Sequence, residues 1–116
     1  MHNFRELNIW KMSKDFCKEV YLVTKYFPKS EIYGLTSQLN RAAVSVPSNI
    51  AEGCGRETKK DFARFITISL GSAYEIETQL IIAFELEFIK EEKFKDLLSK
   101  VKQIQKMLYN FRRTLK

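Results

Sequence analysis

Residues 90–116 read KEEKFKDLLSKVKQIQKMLYNFRRTLK, and the spacing of apolar positions in this stretch decides the fold class. Phe94, Leu97, Leu98, Val101, Ile104, Leu108, Phe111 and Leu115 recur every three or four residues, the period of one helical face. Most residues between them are charged or carry amides, as expected of the side turned to water. A strand would need alternation by two, and no such alternation competes here or elsewhere in the chain.

Upstream the helical period returns three times. Residues 8–27 carry two adjacent stripes: Ile9, Met12, Phe16, Val23 and Tyr26, then Trp10, Cys17, Val20 and Phe27. Together they make a face wider than packing on one neighbour requires. Pro28 ends this helix, because proline disfavours helical geometry at the residue before it. Ser30 and Glu31 offer a hydroxyl cap and an acid near the positive end of a second helix, which carries Ile32, Leu35, Leu39, Ala42, Ala43 and Val46. Pro47 cannot donate to the carbonyl of Ala43, so helix 2 is expected to kink or restart there. Gly53-Cys54-Gly55 closes it. Thr58-Lys59-Lys60-Asp61 is a capping-box pattern that opens a third helix reaching about residue 86. Its inner stripe is Phe62, Phe65, Ile66, Ser69, Ala73, Ile76, Leu80 and Ala83. Four helices with short connections predict an all-α, antiparallel up-down four-helix bundle, with residues 1–116 as a single domain.

Composition narrows the function classes. With 116 residues and 45% hydrophobic content, the chain can bury a core rather than remain disordered. One histidine and two cysteines leave no zinc-ligand set and no basis for a histidine-centred triad. Cys17 and Cys54 form no Cys-x-x-Cys and are expected to be reduced thiols. There is no phosphate loop and no nucleophile–base pair, so no cofactor, no metal and no enzymatic activity are expected. Residues 1–6 lack the apolar core of a secretory signal, and Leu80-Ile81-Ile82-Ala83-Phe84 falls far short of the ~20 residues of a membrane span. The expected location is the cytoplasm, away from membranes.

A longer pattern is specific enough to name a resemblance. Phe27-Pro28, Glu31, Tyr33-Gly34-Leu35-Thr36 and Gln38-Leu39 lead into Arg41-Ala42-Ala43-Val44-Ser45-Val46-Pro47-Ser48-Asn49-Ile50-Ala51-Glu52-Gly53. Gly55-Arg56, Lys60, Phe62, Phe65, Gly71-Ser72, Glu75, Glu77 and Gln79-Leu80 follow, and Phe4, Leu7 and Trp10 fit at the start. This run resembles the signature of the 23S ribosomal RNA intervening-sequence proteins over nearly the whole chain. Asn40 stands where members often carry a second arginine beside Arg41. The resemblance implies a four-helix bundle, often a ring-like homopentamer. It also implies kinship with the accessory proteins of diversity-generating retroelements, which bind nucleic acid and a reverse transcriptase.

The polar residues divide into two groups. Arg41, Asn49 and Glu52 on helix 2 and Glu75 on helix 3 are expected to form a structural polar network bracing Pro47. Glu75 and Glu77 are two apart on a helix and face different ways, which disfavours a shared catalytic site. The aromatics Tyr74, Phe84, Phe88 and Tyr109 are expected in the core or at subunit contacts rather than as stacking platforms. The basic residues carry the functional reading. Net charge is +6, and residues 90–116 hold nine Lys/Arg against three acids, whereas residues 58–87 hold three against five. Arg56, Lys59, Lys60 and Arg64 form a second cluster, and with Lys106, Arg112 and Arg113 they are the candidate nucleic-acid-binding residues.

The double stripe of helix 1, with Leu70, Ile81 and Phe84 beside the inner row of helix 3, predicts more apolar surface than one copy can hide. A homo-oligomer is therefore expected, and a ring would repeat each basic patch along one polyanion. The competing expectation is a structural or protein-interaction scaffold, for example for a polymerase, with no direct nucleic-acid role.

Overall fold

A computed structural model describes residues 3–116. Met1 and His2, on which part of the N-terminal reading and the lone histidine rest, lie outside the described residues. The helices are α1 (Asn8–Thr24), α2 (Leu35–Cys54), α3 (Lys59–Glu85) and α4 (Glu91–Arg113), with 3-10 turns at Phe4–Glu6 and Lys29–Glu31. Successive helices pack on one another and α4 returns to α1, closing an antiparallel up-down bundle of 43 × 24 × 20 Å.

Each boundary has a local cause. The 3-10 turn at Lys29–Glu31 delays α2 to Leu35, whose N–H donates to Glu31 Oε1 at 3.0 Å. Gly34 makes room for that carboxylate, since a Cβ there would lie 2.9 Å from the same oxygen. At the start of α3, Thr58 Oγ1 accepts from the Asp61 N–H at 3.1 Å, as the capping pattern requires. Glu87 ends α3 in the left-handed region at φ 63°, and the Phe88 N–H closes on the Ala83 carbonyl at 2.8 Å.

The kink or restart expected at Pro47 is not seen: α2 runs through it as one element. Pro47 is buried, and side chains serve the carbonyls just before it. Ser69 Oγ donates to the Val46 carbonyl at 2.8 Å, and Asn49 Nδ2 donates to the Ser45 carbonyl at 2.8 Å. Neither bond is made to the Ala43 carbonyl, the one Pro47 cannot donate to; the first ties this stretch of α2 to α3 and the second is made within α2.

The core draws on all four helices: Phe16 and Val20; Leu39, Val46 and Ile50; Ile66, Ile76 and Leu80; Leu97, Val101, Ile104 and Leu108. It also absorbs much of the apolar surplus anticipated from the sequence. Val20, Phe27 and Leu70 are buried, and Phe84 stacks on Phe94 with ring centroids 4.3 Å apart. Asn40 also turns inward to α1, accepting from Thr24 Oγ1 at 3.0 Å. The large apolar side chains left in solvent include Tyr26 and Ile81 from that anticipated surplus, together with Leu22, Ile32, Tyr33 and Leu86. No helix among the described residues is long and apolar enough to cross a membrane. Cys17 and Cys54 are free thiols, and burial pushes both pKa values up.

A charged seam joins α1 to α4. Lys100 Nζ reaches Glu19 Oε1 at 2.8 Å and Asp96 Oδ2 at 3.2 Å, and Lys93 Nζ lies 3.4 Å from each of the same carboxylates. The hydrogen bond from Lys100 is the main cause holding the Asp96 carboxyl below the usual carboxylate range. A depressed folded-state pKa contributes stability above the unfolded-state value, and that contribution vanishes as pH falls through the folded value. Denaturant titrations should therefore show Asp96→Asn slightly less stable than the parent at pH 6, with the gap closing under strong acid. An equal gap at every pH would exclude the ionised carboxylate as its source.

Candidate nucleic-acid interface

Antiparallel packing brings the start of α3 beside the end of α4. The rings of Phe62 and Phe111 meet edge to face with centroids 5.4 Å apart, and Arg112 Nη1 donates to Thr67 Oγ1 at 3.2 Å. This apposition gathers Lys59, Lys60 and Arg64 from α3, Arg56 from the preceding loop, and Arg112 and Arg113 from α4 at one end of the bundle. Lys106 stands apart, about two turns back along α4, roughly 10 Å from Arg113.

Local geometry fixes some of these cations and leaves others free to move. The Arg56 and Arg64 guanidiniums flank the Phe65 ring at 4.6 and 4.9 Å from its centroid. Arg56 also pairs with Glu52 at 3.2 Å, an exposed contact worth little in water. Arg112 lies 5.5 Å from the Tyr109 centroid. Lys59, Lys60, Lys106 and Arg113 are exposed. Aromatic support keeps a guanidinium's donors pointed outward, which suits recognition of phosphate. The N-terminal end of α3 adds the positive pole of its helix dipole to the same region.

The residues expected to brace Pro47 are distributed differently. Asn49 sits beside the proline and also donates to Ser45 Oγ at 3.0 Å, and Ser45 shares a 2.8 Å hydrogen bond with Ser72. Glu52 pairs with Arg56, while Arg41 and Glu75 are exposed and line one cleft between α2 and α3. Glu52 thus plays no part beside Pro47, whereas Ser69, read from the sequence only as a core position, bonds the neighbouring Val46 carbonyl. Glu77 finds Gln105 of α4, whose Nε2 donates to its Oε1 at 2.8 Å. Among the aromatics, Phe84 and Phe88 pack on Phe94 and Phe27, whereas Tyr74 and Tyr109 are exposed. No helical-spacing rule pairs Arg112 with Thr67 or Gln105 with Glu77; only the relative placement of α3 and α4 does. Among the described residues no group of three or more His, Cys, Asp or Glu could hold a metal ion.

These features define an all-α protein of the up-down four-helix class, with a hydrophobic core and a polar cleft between α2 and α3. The chain belongs to the 23S rRNA-intervening sequence protein family, whose model matches residues 5–110. Among solved structures it is similar to a protein of unknown function from the S23 ribosomal protein family of Bacteroides thetaiotaomicron VPI-5482. The TM-score is 0.84 at 22% identity, covering 90% of this chain and 97% of that one, a likeness of fold. No curated protein matches the chain.

Proposed function

We propose that the protein is an oligomeric, non-enzymatic bundle of the cytoplasm that associates with RNA or DNA through its cationic end. The reading is supported by the α3–α4 contact, where Phe62 meets Phe111 and Arg112 donates to Thr67, so that Lys59, Lys60 and Arg64 belong to one helix end and Arg112 and Arg113 to the helix end packed on it, with Arg56 in the preceding loop. Six cations from two separate stretches of sequence thus fall at these helix ends, with Glu52, Glu57 and Asp61 as the acids nearest them in sequence. A polyanion docking there releases counterions from its own atmosphere, so affinity falls with salt. Subunit assembly would repeat the patch. Support comes from exposed apolar residues such as Leu22 and Tyr26, 57% and 86% accessible, and from the ring of five subunits that the family resemblance implies.

Filter binding against structured RNA and duplex DNA at two salt concentrations tests the reading. Lys59→Ala, Lys60→Ala and Arg64→Ala combined should weaken binding and flatten the salt dependence by about two to three ions. Oligomer size should not change. Affinity that ignores salt, or an unaltered triple variant, would favour the alternative of a scaffold for a protein partner such as a polymerase.

A further inference from the structure

The cleft between α2 and α3 is lined by Tyr33, Arg41, Ser45, Ser72, Glu75 and Gln79, among others, and encloses about 530 Å³. Its polar groups are unevenly satisfied. Ser45 and Ser72 bond to each other, but Arg41 and Glu75 make no hydrogen bond or ion pair among the described residues. Gln79 is nine-tenths buried, and its Oε1 has no hydrogen-bond partner. An unmet buried acceptor is uncommon, and the soft terminal torsion of glutamine lets its amide turn toward the cleft. At the rim the Tyr33 ring is almost wholly exposed.

We infer that this cleft is a base-recognition site that takes an unpaired guanine of a single-stranded nucleic acid. The argument is one of donor and acceptor order. A free carboxylate presents two acceptors side by side, and among the four RNA bases only guanine offers two adjacent donors, N1–H and the N2 amino group. A free guanidinium presents paired donors, and guanine answers with O6 and N7 on its other edge. Adenine and cytosine each offer a single exocyclic donor, and uracil a single ring donor, so each leaves one carboxylate oxygen unmatched. An exposed aromatic at the rim supplies the stacking surface that single-stranded bases use.

The placement joins the cleft to the cationic end. Arg64, Ile68, Gly71 and Glu75 lie at helical spacing on one exposed face of α3, three turns or roughly 16 Å from first to last. A Cβ at Gly71 would meet nothing within 4 Å, so the face is open at that point between Arg64 and Glu75. The inference rests on the nucleic-acid reading above and adds base selectivity to it.

The test compares oligouridine with the same oligomer carrying one central guanine, by fluorescence anisotropy at fixed low salt. The guanine oligomer should bind about tenfold tighter, and one with adenine in that place should match oligouridine. Glu75→Gln and Arg41→Gln alter exposed side chains, so folding is not at risk. Each should erase the guanine preference, bringing the guanine oligomer and oligouridine to equal affinity. Equal affinity for all three oligomers, with salt dependence retained, overturns the guanine site and leaves the cationic end standing. No binding of any oligomer, RNA or DNA overturns both. A change in subunit number for Glu75→Gln would show the cleft to be a contact between copies and also overturn the inference.

Discussion

Replacing Leu80 by alanine is expected to lower the free energy of unfolding by about 3–5 kcal/mol, measured by denaturant titration. Leu80 is wholly buried in the shared core, so truncation removes its transfer from water and also leaves a void that α2 and α4 cannot fill by small shifts. Since a domain of this size has about 5–15 kcal/mol in all, the variant should sit near the edge of folding. Leu97→Ala, at an equally buried position on α4, should behave alike. The control is Leu22→Ala. That side chain is 57% accessible, so in an isolated protomer its loss should change stability by about 0.5 kcal/mol or less. If subunits associate through it, the same substitution should instead alter the mass seen by light scattering. Leu80→Ala within 1 kcal/mol of the parent would mean that the core is not packed as described.

The second large effect is expected where Gly53 of α2 meets Phe62 and Phe65 of α3. A Cβ on Gly53 would lie 2.7 Å from Phe62 Cδ1 and 3.0 Å from Phe65 Cβ, distances that force the helices apart or the ring to turn. Gly53→Ala should therefore destabilise by about 1–3 kcal/mol, although alanine is the better helix former. Gly71→Ala is the matched opposite. It lies within α3 with open space around it, so relief of glycine's entropy should stabilise by about 0.5–1 kcal/mol. The pair separates helix propensity from steric fit, because one substitution is made twice in neighbouring helices. Shifts of the same sign in thermal melts would contradict the geometry at one of the two positions. Phe62 also carries the ring contact to Phe111, so disturbance at Gly53 should reach the cationic end as well.

Much of this architecture could be read from the residues. The three-four spacing of Leu97, Val101, Ile104 and Leu108 placed α4, and the capping pattern at Thr58 placed the start of α3. What escaped were effects that depend on which helix lies opposite. Pro47 is a breaker by local rules, yet Ser69 comes from another helix to serve the carbonyl beside it. Glu31 read as a first-turn acid of α2, but its carboxylate acts from outside the helix, four residues ahead of the N–H it receives. Periodicity counted two stripes on α1 without revealing that Val20 and Phe27 would both be covered. The cationic cluster was legible as composition, and its assembly from two helix ends was not. The cleft was legible in part: Arg41 and Glu75 were grouped across helices 2 and 3 as one polar network, but Gln79 joins them only once α2 and α3 are set side by side.

An even number of antiparallel helices has a topological result: the chain returns to the end from which it set out. The beginning of α1 and the close of α4 thus emerge on the same side of the bundle, next to the loop between α2 and α3. A segment joined ahead of α1 or beyond α4 would leave from that pole, whereas the opposite pole, with the α1–α2 and α3–α4 connections, would stay unencumbered. A bridge from the end of α4 to the start of α1 would stay at one pole, so the order of the helices along the chain could be cut and rejoined without redrawing the solid they form.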